Sequence, residues 1–300
     1  MKIYLYLKCG FQMIILAPQR PIFNHKSLSE YNNKRMNWKS KEYCKKEDLS
    51  NHYWEQGFFH FDFGENHTYK RDFEEIRLRD LALFTLGDIK GKTILDIGCG
   101  DGLYSVTFLK LGAEKVCGQD LSEDYIRDAS RKSMELGYSN FTGIVGDCSK
   151  LQFEDNSFDI VFSGDVFEHI TDELKLKFIQ EAYRVLKPGG IFTVKTPNKS
   201  YLKFSNFLHR IKAVTRFKNP FNIHIAHTKN NPDNEHHGLI NHKNLENIFL
   251  NTMFHYPITT KAELNKGMPE GLSKFLSNYN VFNQHIIMTV TKPYFYELYK

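Results

Sequence analysis

The sequence predicts an α/β protein with a doubly wound, mostly parallel sheet that carries helices on both faces. Between Thr93 and Thr196, short apolar segments alternate with amphipathic ones, as in chains built of repeated β-α units. Glycines follow the first apolar segment directly, and aspartates follow several of the later ones. Ligands of such open sheets bind beyond the carboxyl ends of the strands, so these residues predict a binding site at that edge.

The individual elements follow from local periodicity. Apolar residues at helical spacing predict a helix over 72–86, ahead of the first strand. The alternation then predicts strands at 93–97, 114–119, 141–145, 158–163 and 190–196, with helices at 102–111, 122–136 and 171–186. After an interruption, the pattern predicts a helix at 244–253 and strands at 256–264 and 285–292, which brings the sheet to seven strands.

Two segments fall outside this alternation. Residues 1–52 mix polar and charged types without a clear period and predict a poorly ordered N-terminal extension, so the folded domain is expected to span 53–300. Residues 198–235 form an insertion, and its part from Lys199 to Lys218 carries six basic residues and no acidic one. That charge fits either an anionic ligand or a solvated surface helix.

Composition restricts the function classes. Of 300 residues, 41% are hydrophobic, enough for one large core, and the net charge of +5 does not demand a nucleic acid partner. Cys99, Cys117 and Cys148 fall at strand ends, where disulfides would distort the site, so reduced thiols and a cytoplasmic location are expected. Lys8 and Gln12 interrupt the apolar start, so neither a secretion signal nor membrane attachment is expected.

The segment from Thr93 to Gly102 predicts the ligand class. Its glycines let the backbone approach a ligand closely, but Leu103 occupies the third glycine position of a dinucleotide fingerprint. Asp96 would also repel a phosphate about 5 Å away by roughly 3 kcal/mol at an effective dielectric constant near 20. The same carboxylate attracts a cation. S-adenosylmethionine (SAM), an adenosine with a cationic amino acid and no phosphate, fits both facts.

Leu95–Gly102 resembles motif I of the class I SAM-dependent methyltransferases. Further landmarks of that family occur in the same order, with an acidic residue 18 residues after Gly102, another after the third strand, and two later strand and helix ends: Asp120, Asp147, 157–163 and 181–190. The resemblance implies a Rossmann-like methyltransferase fold with an antiparallel last strand, and a helical lid formed by residues 198–235.

The resemblance also implies roles for the cofactor-binding residues. Asp96 is expected to attract the ammonium group, Asp120 to accept hydrogen bonds from the ribose hydroxyls, and Asp147 with the Cys148 amide to contact the adenine. Alternatives stay open, because Asp120 could cap a helix and Asp147 could shape a turn. The remaining predicted cofactor contacts are the loop residues and two strand-end neighbours: Gly98, Cys99, Gly100, Gly102, Leu121 and Gly164.

The acceptor side is predicted after the fourth strand. Asp165, Glu168 and His169 stand at i, i+3 and i+4, so they would share one face if a helix begins there, and we predict them as the catalytic residues. They resemble the Glu-x-x-Glu-His of quinone-biosynthesis O-methyltransferases and of enzymes that methylate RNA 3′ ends, which implies a divalent ion. A further ligand would have to come from His224, His236 or His237. Because His169 could equally act as a base or pack, no metal ligand is assigned.

These observations predict an enzyme that transfers a methyl group from SAM to a small or medium acceptor, with oxygen as the favoured atom. The basic insertion favours an anionic acceptor. Two alternatives remain open: metal-assisted 2′-O-methylation at RNA 3′ ends, and a SAM-fold partner protein without catalysis.

Overall fold

The computed structural model describes residues 82–220, 236, 238–255, 257–260, 272, 275–276 and 278–294. Seven strands form one sheet: β1 (Thr93–Ile97), β2 (Lys115–Asp120), β3 (Phe141–Val145), β4 (Phe158–Gly164), β5 (Leu186–Pro197), β6 (Ile258–Thr260) and β7 (His285–Thr291). Five α-helices connect them: α1 (Leu103–Lys110), α2 (Glu123–Glu135), α3 (Asp172–Val185), α4 (Lys199–Val214) and α5 (His242–Leu250). Short 3-10 helices lie at Phe167–His169 and Asn280–Phe282.

The strand order is β3-β2-β1-β4-β5-β7-β6. Strands β1 to β5 pair in parallel, whereas β7 runs antiparallel to both β5 and β6. The predicted fold class and antiparallel last strand are therefore confirmed. The connections leave β1 toward β2 on one side and reach β4 on the other, so the order reverses between β1 and β4, where such sheets bind ligands.

The sheet is covered on both faces. In β1, Leu95 belongs to one hydrophobic cluster and Ile94 to a second, because successive side chains point to opposite faces of a strand. The first cluster packs the sheet against residues of α3 and α5, including Phe178 and Phe249, and the second packs it against α1 through Phe108. Burial on both faces explains the nearly continuous apolar composition of the central strands.

Polar side chains set where the helices begin. Ser122, Thr171, Asn198 and Asn241 each accept a hydrogen bond from a backbone N–H of the first turn of α2, α3, α4 and α5, respectively. The bounds agree with the predicted ones to within three residues wherever both ends are described, except that β5 begins at Leu186, four residues before its predicted start at 190. The helix expected at 244–253 runs from His242 to Leu250, and it begins earlier because the Asn241 cap was not recognised.

Several predictions lie outside the described residues. These are the extension at 1–52, the start of the helix at 72–86, most of the strand expected at 256–264, the insertion beyond Pro220, and His224 and His237. Within the described ranges, no helix is both long and apolar enough to cross a membrane.

Candidate functional site

Glycine is required at three positions of the loop after β1. Gly98, Gly100 and Gly102 have φ angles of 71°, 51° and 86°, in the left-handed region that L side chains rarely adopt. A Cβ on Gly98 would overlap the side chain of Val166, and one on Gly102 would lie 2.8 Å from the Cβ of Ala129 in α2. A Cβ on Gly100 would meet nothing within 4 Å. Gly100 therefore borders open space at the switch point.

Asp120 joins this loop to the end of β2. The Gly100 N–H donates to its Oδ2 at 2.9 Å, and the Ser122 N–H donates to its Oδ1 at 2.9 Å. The helix-cap alternative for Asp120 is wrong, because Ser122 caps α2. Each carboxylate oxygen keeps a second lone pair, so Asp120 can accept hydrogen bonds from a ligand while it holds the loop.

Asp96 lies behind the loop rather than on its surface. Its side chain is 1% exposed, and Ser105 Oγ of α1 donates to its Oδ2 at 2.7 Å. Burial raises the pKa of Asp96 to about 7; the Ser105 hydrogen bond opposes this rise, and the nearby charge of Asp120 adds to it. A cation bound over the loop would favour the ionised form.

The ends of β2 and β3 carry further residues that were predicted to contact the cofactor. Leu121 is 71% exposed, which is unusual for a leucine beside a buried strand and offers an apolar surface next to Asp120. The Ser149 N–H donates to Asp147 Oδ1 at 2.7 Å, and this bond lowers the pKa of Asp147. Gln119 Nε2 donates to the Asp147 carbonyl at 2.9 Å. Asp147 therefore shapes a turn, which is the alternative role that the sequence left open for it.

The cysteines predicted as reduced thiols are free in the described part of the chain: Cys99, Cys117 and Cys148. Burial raises the pKa of all three, that of Cys148 to about 11. Since the thiolate is the reactive form, none of the three is poised to act as a nucleophile at neutral pH.

On the acceptor side, Asp165 follows β4 with a φ of 59° and forms an ion pair with Lys195 of β5. Lys195 is 5% exposed; burial would lower the pKa of its ammonium, but the charge of Asp165 raises it above the usual value. His285 Nε2 of β7 lies 3.7 Å from Asp165 Oδ1. Gly164 has no room for a side chain, because a Cβ would lie 2.8 Å from the Tyr104 ring.

Glu168 and His169 lie on the 3-10 helix that follows. Glu168 is buried and accepts a hydrogen bond from Thr196 Oγ1 at 2.8 Å. Burial raises the pKa of Glu168 to about 7, and the charge of Asp165 adds to the rise. The rings of His169 and His236 lie 4.6 Å apart, and the potential ligand atoms of Glu168, His169 and His236 all lie within 4.8 Å of one another.

The contacts of Gly238 hold the nearby His236 close to Glu168 and His169. The Gly238 N–H donates to the Glu168 carbonyl at 2.8 Å, and Lys175 Nζ of α3 donates to the Gly238 carbonyl at 2.7 Å. A Cβ on Gly238 would clash with the carbonyl of Ile170, so only glycine fits. His236, two residues before Gly238, is thus held near the turn after β4.

The expected helical face is not formed. The chain after β4 takes a left-handed residue and a 3-10 turn, so Asp165 turns toward Lys195 while Glu168 and His169 group with His236. Sequence reasoning missed Lys195, Thr196 and Ser105. Lys195 could have been recognised from the sequence, because a lysine inside an apolar strand needs a charged partner when it is buried.

This sheet order, with a glycine loop and a strand-end acid at its switch point, is typical of α/β domains that bind an adenosine-containing cofactor. A family model described as a methyltransferase domain matches residues 94–190. Residues 94–190 thus match a methyltransferase domain, in agreement with the predicted resemblance to the class I SAM-dependent methyltransferases and with SAM as the expected cofactor.

Similar proteins carry different activities. A ubiquinone biosynthesis O-methyltransferase of Hydrogenovibrio crunogenus is 28% identical over 57% of this chain and 66% of its own length. Phosphoethanolamine N-methyltransferase 2 of Caenorhabditis elegans is 39% identical over 38% of this chain and 26% of its own length. The chain thus spans less than two thirds of these curated relatives.

Solved structures agree in fold. A SAM-dependent methyltransferase from Mesorhizobium loti superposes with a TM-score of 0.51 at 16% identity, covering 73% of this chain and 97% of its own. The PH0226 protein from Pyrococcus horikoshii superposes with a TM-score of 0.51 at 21% identity, covering 81% and 98%. At these identities the likeness concerns the fold alone.

Proposed function

We propose that this protein is an enzyme that transfers the methyl group of SAM to an oxygen of a small or medium acceptor. One observation carries the proposal: the Gly100 N–H bonds to Asp120 Oδ2 beside open space at the switch point. That bond couples the loop that would pass the methionine part to the acid that would hold the ribose. The fold and family match support the same cofactor.

The cofactor side would act by positioning. Asp120 would accept from the ribose hydroxyls, Leu121 would contact the adenine, and ionised Asp96 would attract the ammonium group behind Gly98. The sulfonium is already activated, so holding donor and acceptor near attack geometry is the main requirement, and orientation can contribute roughly 7–11 kcal/mol.

On the acceptor side, His169 is the proposed base. It is exposed at the carboxyl end of β4, where an acceptor hydroxyl can reach it, whereas Glu168 is buried beneath it and bonded to Thr196. A base is needed because a hydroxyl must lose its proton as the methyl group arrives. The ion pair of Asp165 and Lys195 would form the adjoining wall of the acceptor pocket. The basic residues of α4 support an anionic acceptor.

A second candidate is metal-assisted 2′-O-methylation at RNA 3′ ends, which the grouping of Glu168, His169 and His236 favours. One carboxylate and two imidazoles form a donor set that suits Mn²⁺, Fe²⁺ or Zn²⁺. A metal held there would polarise an acceptor oxygen. Asp165, committed to Lys195, does not join this set.

Matched histidine variants separate the two candidates. If His169 is a base, His169→Ala lowers the methyl transfer rate by about 100-fold and His236→Ala changes it little. If both hold a metal, the two variants lose similar activity, EDTA abolishes transfer and a divalent salt restores it. Transfer of tritiated methyl groups into fractionated metabolites identifies the acceptor, and filter binding with a steep salt dependence would favour RNA instead.

The proposed activity itself is tested by a thermal-shift titration with SAM followed by the transfer assay. Stabilisation by SAM with turnover of some acceptor fraction supports it. Stabilisation without turnover in any extract would instead favour a partner protein that binds SAM without catalysis.

A further inference from the structure

Helix α4 turns its apolar side outward. Phe207, Ile211 and Val214 stand at i, i+4 and i+7, on one stripe of the helix, and are 60%, 46% and 59% exposed. The neighbouring Leu208 is 46% exposed. A surface helix of a globular protein normally places such a stripe against the core, so this arrangement is reversed.

The opposite side of α4 attaches the helix to the domain. Tyr201 and Ala213 are buried, and Asn198 caps the helix while its Nδ2 donates to the Asn283 carbonyl at 2.8 Å. The helix is therefore held by one face and presents the other. Its position directly after β5 puts it at the edge of the sheet that carries the proposed site.

The apolar surface continues onto a second segment. The rings of Phe204 and Phe282 lie 5.0 Å apart, those of Phe282 and Tyr279 lie 6.3 Å apart, and those of Tyr279 and Phe275 lie 5.5 Å apart. Tyr279 and Phe275 are 51% and 56% exposed. Two segments far apart in the sequence thus contribute to one aromatic and aliphatic surface, an arrangement that marks interaction sites.

Basic residues border this surface on both sides. With 3.6 residues per turn, Lys203 and Arg210 lie along one edge of the stripe, and Lys212 lies along the other, beyond Leu208; Arg216 follows the end of the helix. All four side chains are exposed, and no acidic residue occurs from Lys199 to Lys218. An apolar stripe with cations along both edges matches the interfacial region of an anionic bilayer, where apolar side chains enter the acyl boundary and cations remain among the headgroups.

We propose that the outward face of α4, with Phe275 and Tyr279, binds an anionic lipid bilayer with the helix axis in the membrane plane. The apolar side chains favour lipid over RNA, because Ile211 and Val214 gain nothing from a polyanion in water but lose exposed apolar area in a bilayer. This attachment is peripheral and differs from the absence of membrane contact expected from the sequence. It does not depend on the proposed activity.

Vesicle co-sedimentation of the full-length chain tests the proposal. We expect binding to vesicles of phosphatidylcholine with 30 mol% phosphatidylglycerol, chosen as about a third anionic lipid, and at least about tenfold weaker binding to pure phosphatidylcholine. Phe207→Asp with Ile211→Asp should lower partitioning at least about tenfold. Met134→Asp is the matched control, because Met134 is 76% exposed on α2 and should leave partitioning unchanged.

A second pair of variants separates the electrostatic contribution to vesicle binding from the apolar one. Lys203→Gln with Arg210→Gln should weaken binding to anionic vesicles and leave the weak binding to neutral vesicles unchanged. Circular dichroism confirms that each variant is folded. The proposal is overturned by equal sedimentation with and without vesicles, or by equal loss with Met134→Asp. It is also overturned if Phe207→Asp instead abolishes concentration-dependent self-association, or binding of single-stranded RNA, in the absence of lipid.

Discussion

The cofactor side and the acceptor side of the site are built from different kinds of contact. On the cofactor side, backbone conformation and backbone hydrogen bonds determine the structure: three left-handed glycines follow β1, and the Gly100 N–H donates to Asp120 from the next strand of the sheet. On the acceptor side, side chains from several segments form the site: Lys195 comes from β5, His285 from β7 and His236 from beyond α4.

This difference suggests how each side can change. A loop fixed by φ angles and backbone hydrogen bonds tolerates few substitutions, whereas a wall of side chains from several segments can be altered one residue at a time. Relatives that share the domain yet are named as O- and N-methyltransferases are consistent with that division.

Gly100→Ala should strongly weaken cofactor binding without unfolding the protein. We expect SAM affinity to fall about 100-fold, about 2.7 kcal/mol, because the methyl group enters the space that the cofactor would occupy. Gly137→Ala is the control: Gly137 has a φ of 82° and, like Gly100, no atom within 4 Å of a built Cβ. Calorimetry should show loss of binding only for Gly100→Ala, with similar decreases in thermal stability. Equal SAM affinity in both variants would contradict the role of Gly100.

Asp120→Ala should weaken SAM binding at least about tenfold, because it removes both the ribose acceptor and the partner of the Gly100 N–H. Asp147→Ala should have a smaller effect, since the Asp147 carboxylate accepts a bond within its own turn. Isothermal titration of both variants checks the ranking. An unchanged affinity for Asp120→Ala would remove Asp120 from the site.

Lys195→Met should separate the two sides. We expect turnover to fall about tenfold, since the charge that faces Asp165 is lost, while SAM affinity changes less than about twofold. Steady-state kinetics and calorimetry on one preparation provide both values. A parallel loss of SAM affinity would show that the acceptor wall and the loop do not act separately.

Asp96 should give the smallest effect, a pH-dependent proton release. Its pKa near 7 means that it is largely protonated at pH 6, and a bound cation favours ionisation, so SAM binding should release up to about one proton at pH 6 and little at pH 8.5. Titration in buffers of different ionisation enthalpy measures this number, and Asp96→Asn should abolish it. Proton uptake instead would contradict the predicted charge pairing.

The same raised pKa affects stability with a defined sign. Asp96 ionises near its ordinary pKa of 3.8 in the unfolded chain and at about 7 in the folded one, so its contribution to stability is present below pH 4 and is lost as pH rises toward 7. Thermal melts of the wild type and Asp96→Asn between pH 5 and pH 8 should therefore diverge without SAM, with the wild type losing more stability.

The sequence predicted the sheet and the position of the glycine loop well, for a physical reason. Glycine at a left-handed position and an acid at a strand end are local requirements, so Gly98 to Gly102 and Asp120 could be read from spacing alone. Ser105 could not, because its bond to Asp96 depends on how α1 packs on β1.

The acceptor side was predicted only in part. Residue spacing suggested one helical face for Asp165, Glu168 and His169, but the left-handed φ at Asp165 separates it from the other two. The approach of His236 depends on Gly238 fitting against the turn that ends at Ile170, a tertiary contact with no local signature. The basic residues of α4 were visible in the sequence, but which face of the helix is exposed depends on tertiary packing.

A crystal structure of the chain soaked with S-adenosylhomocysteine would show whether the glycine loop and Asp120 bind the cofactor. We expect the amino acid part to lie over Gly98–Gly102 and both ribose hydroxyls to lie within hydrogen-bond distance of Asp120. Density for the ligand at any other place on the molecule, with that loop left bare, would contradict it.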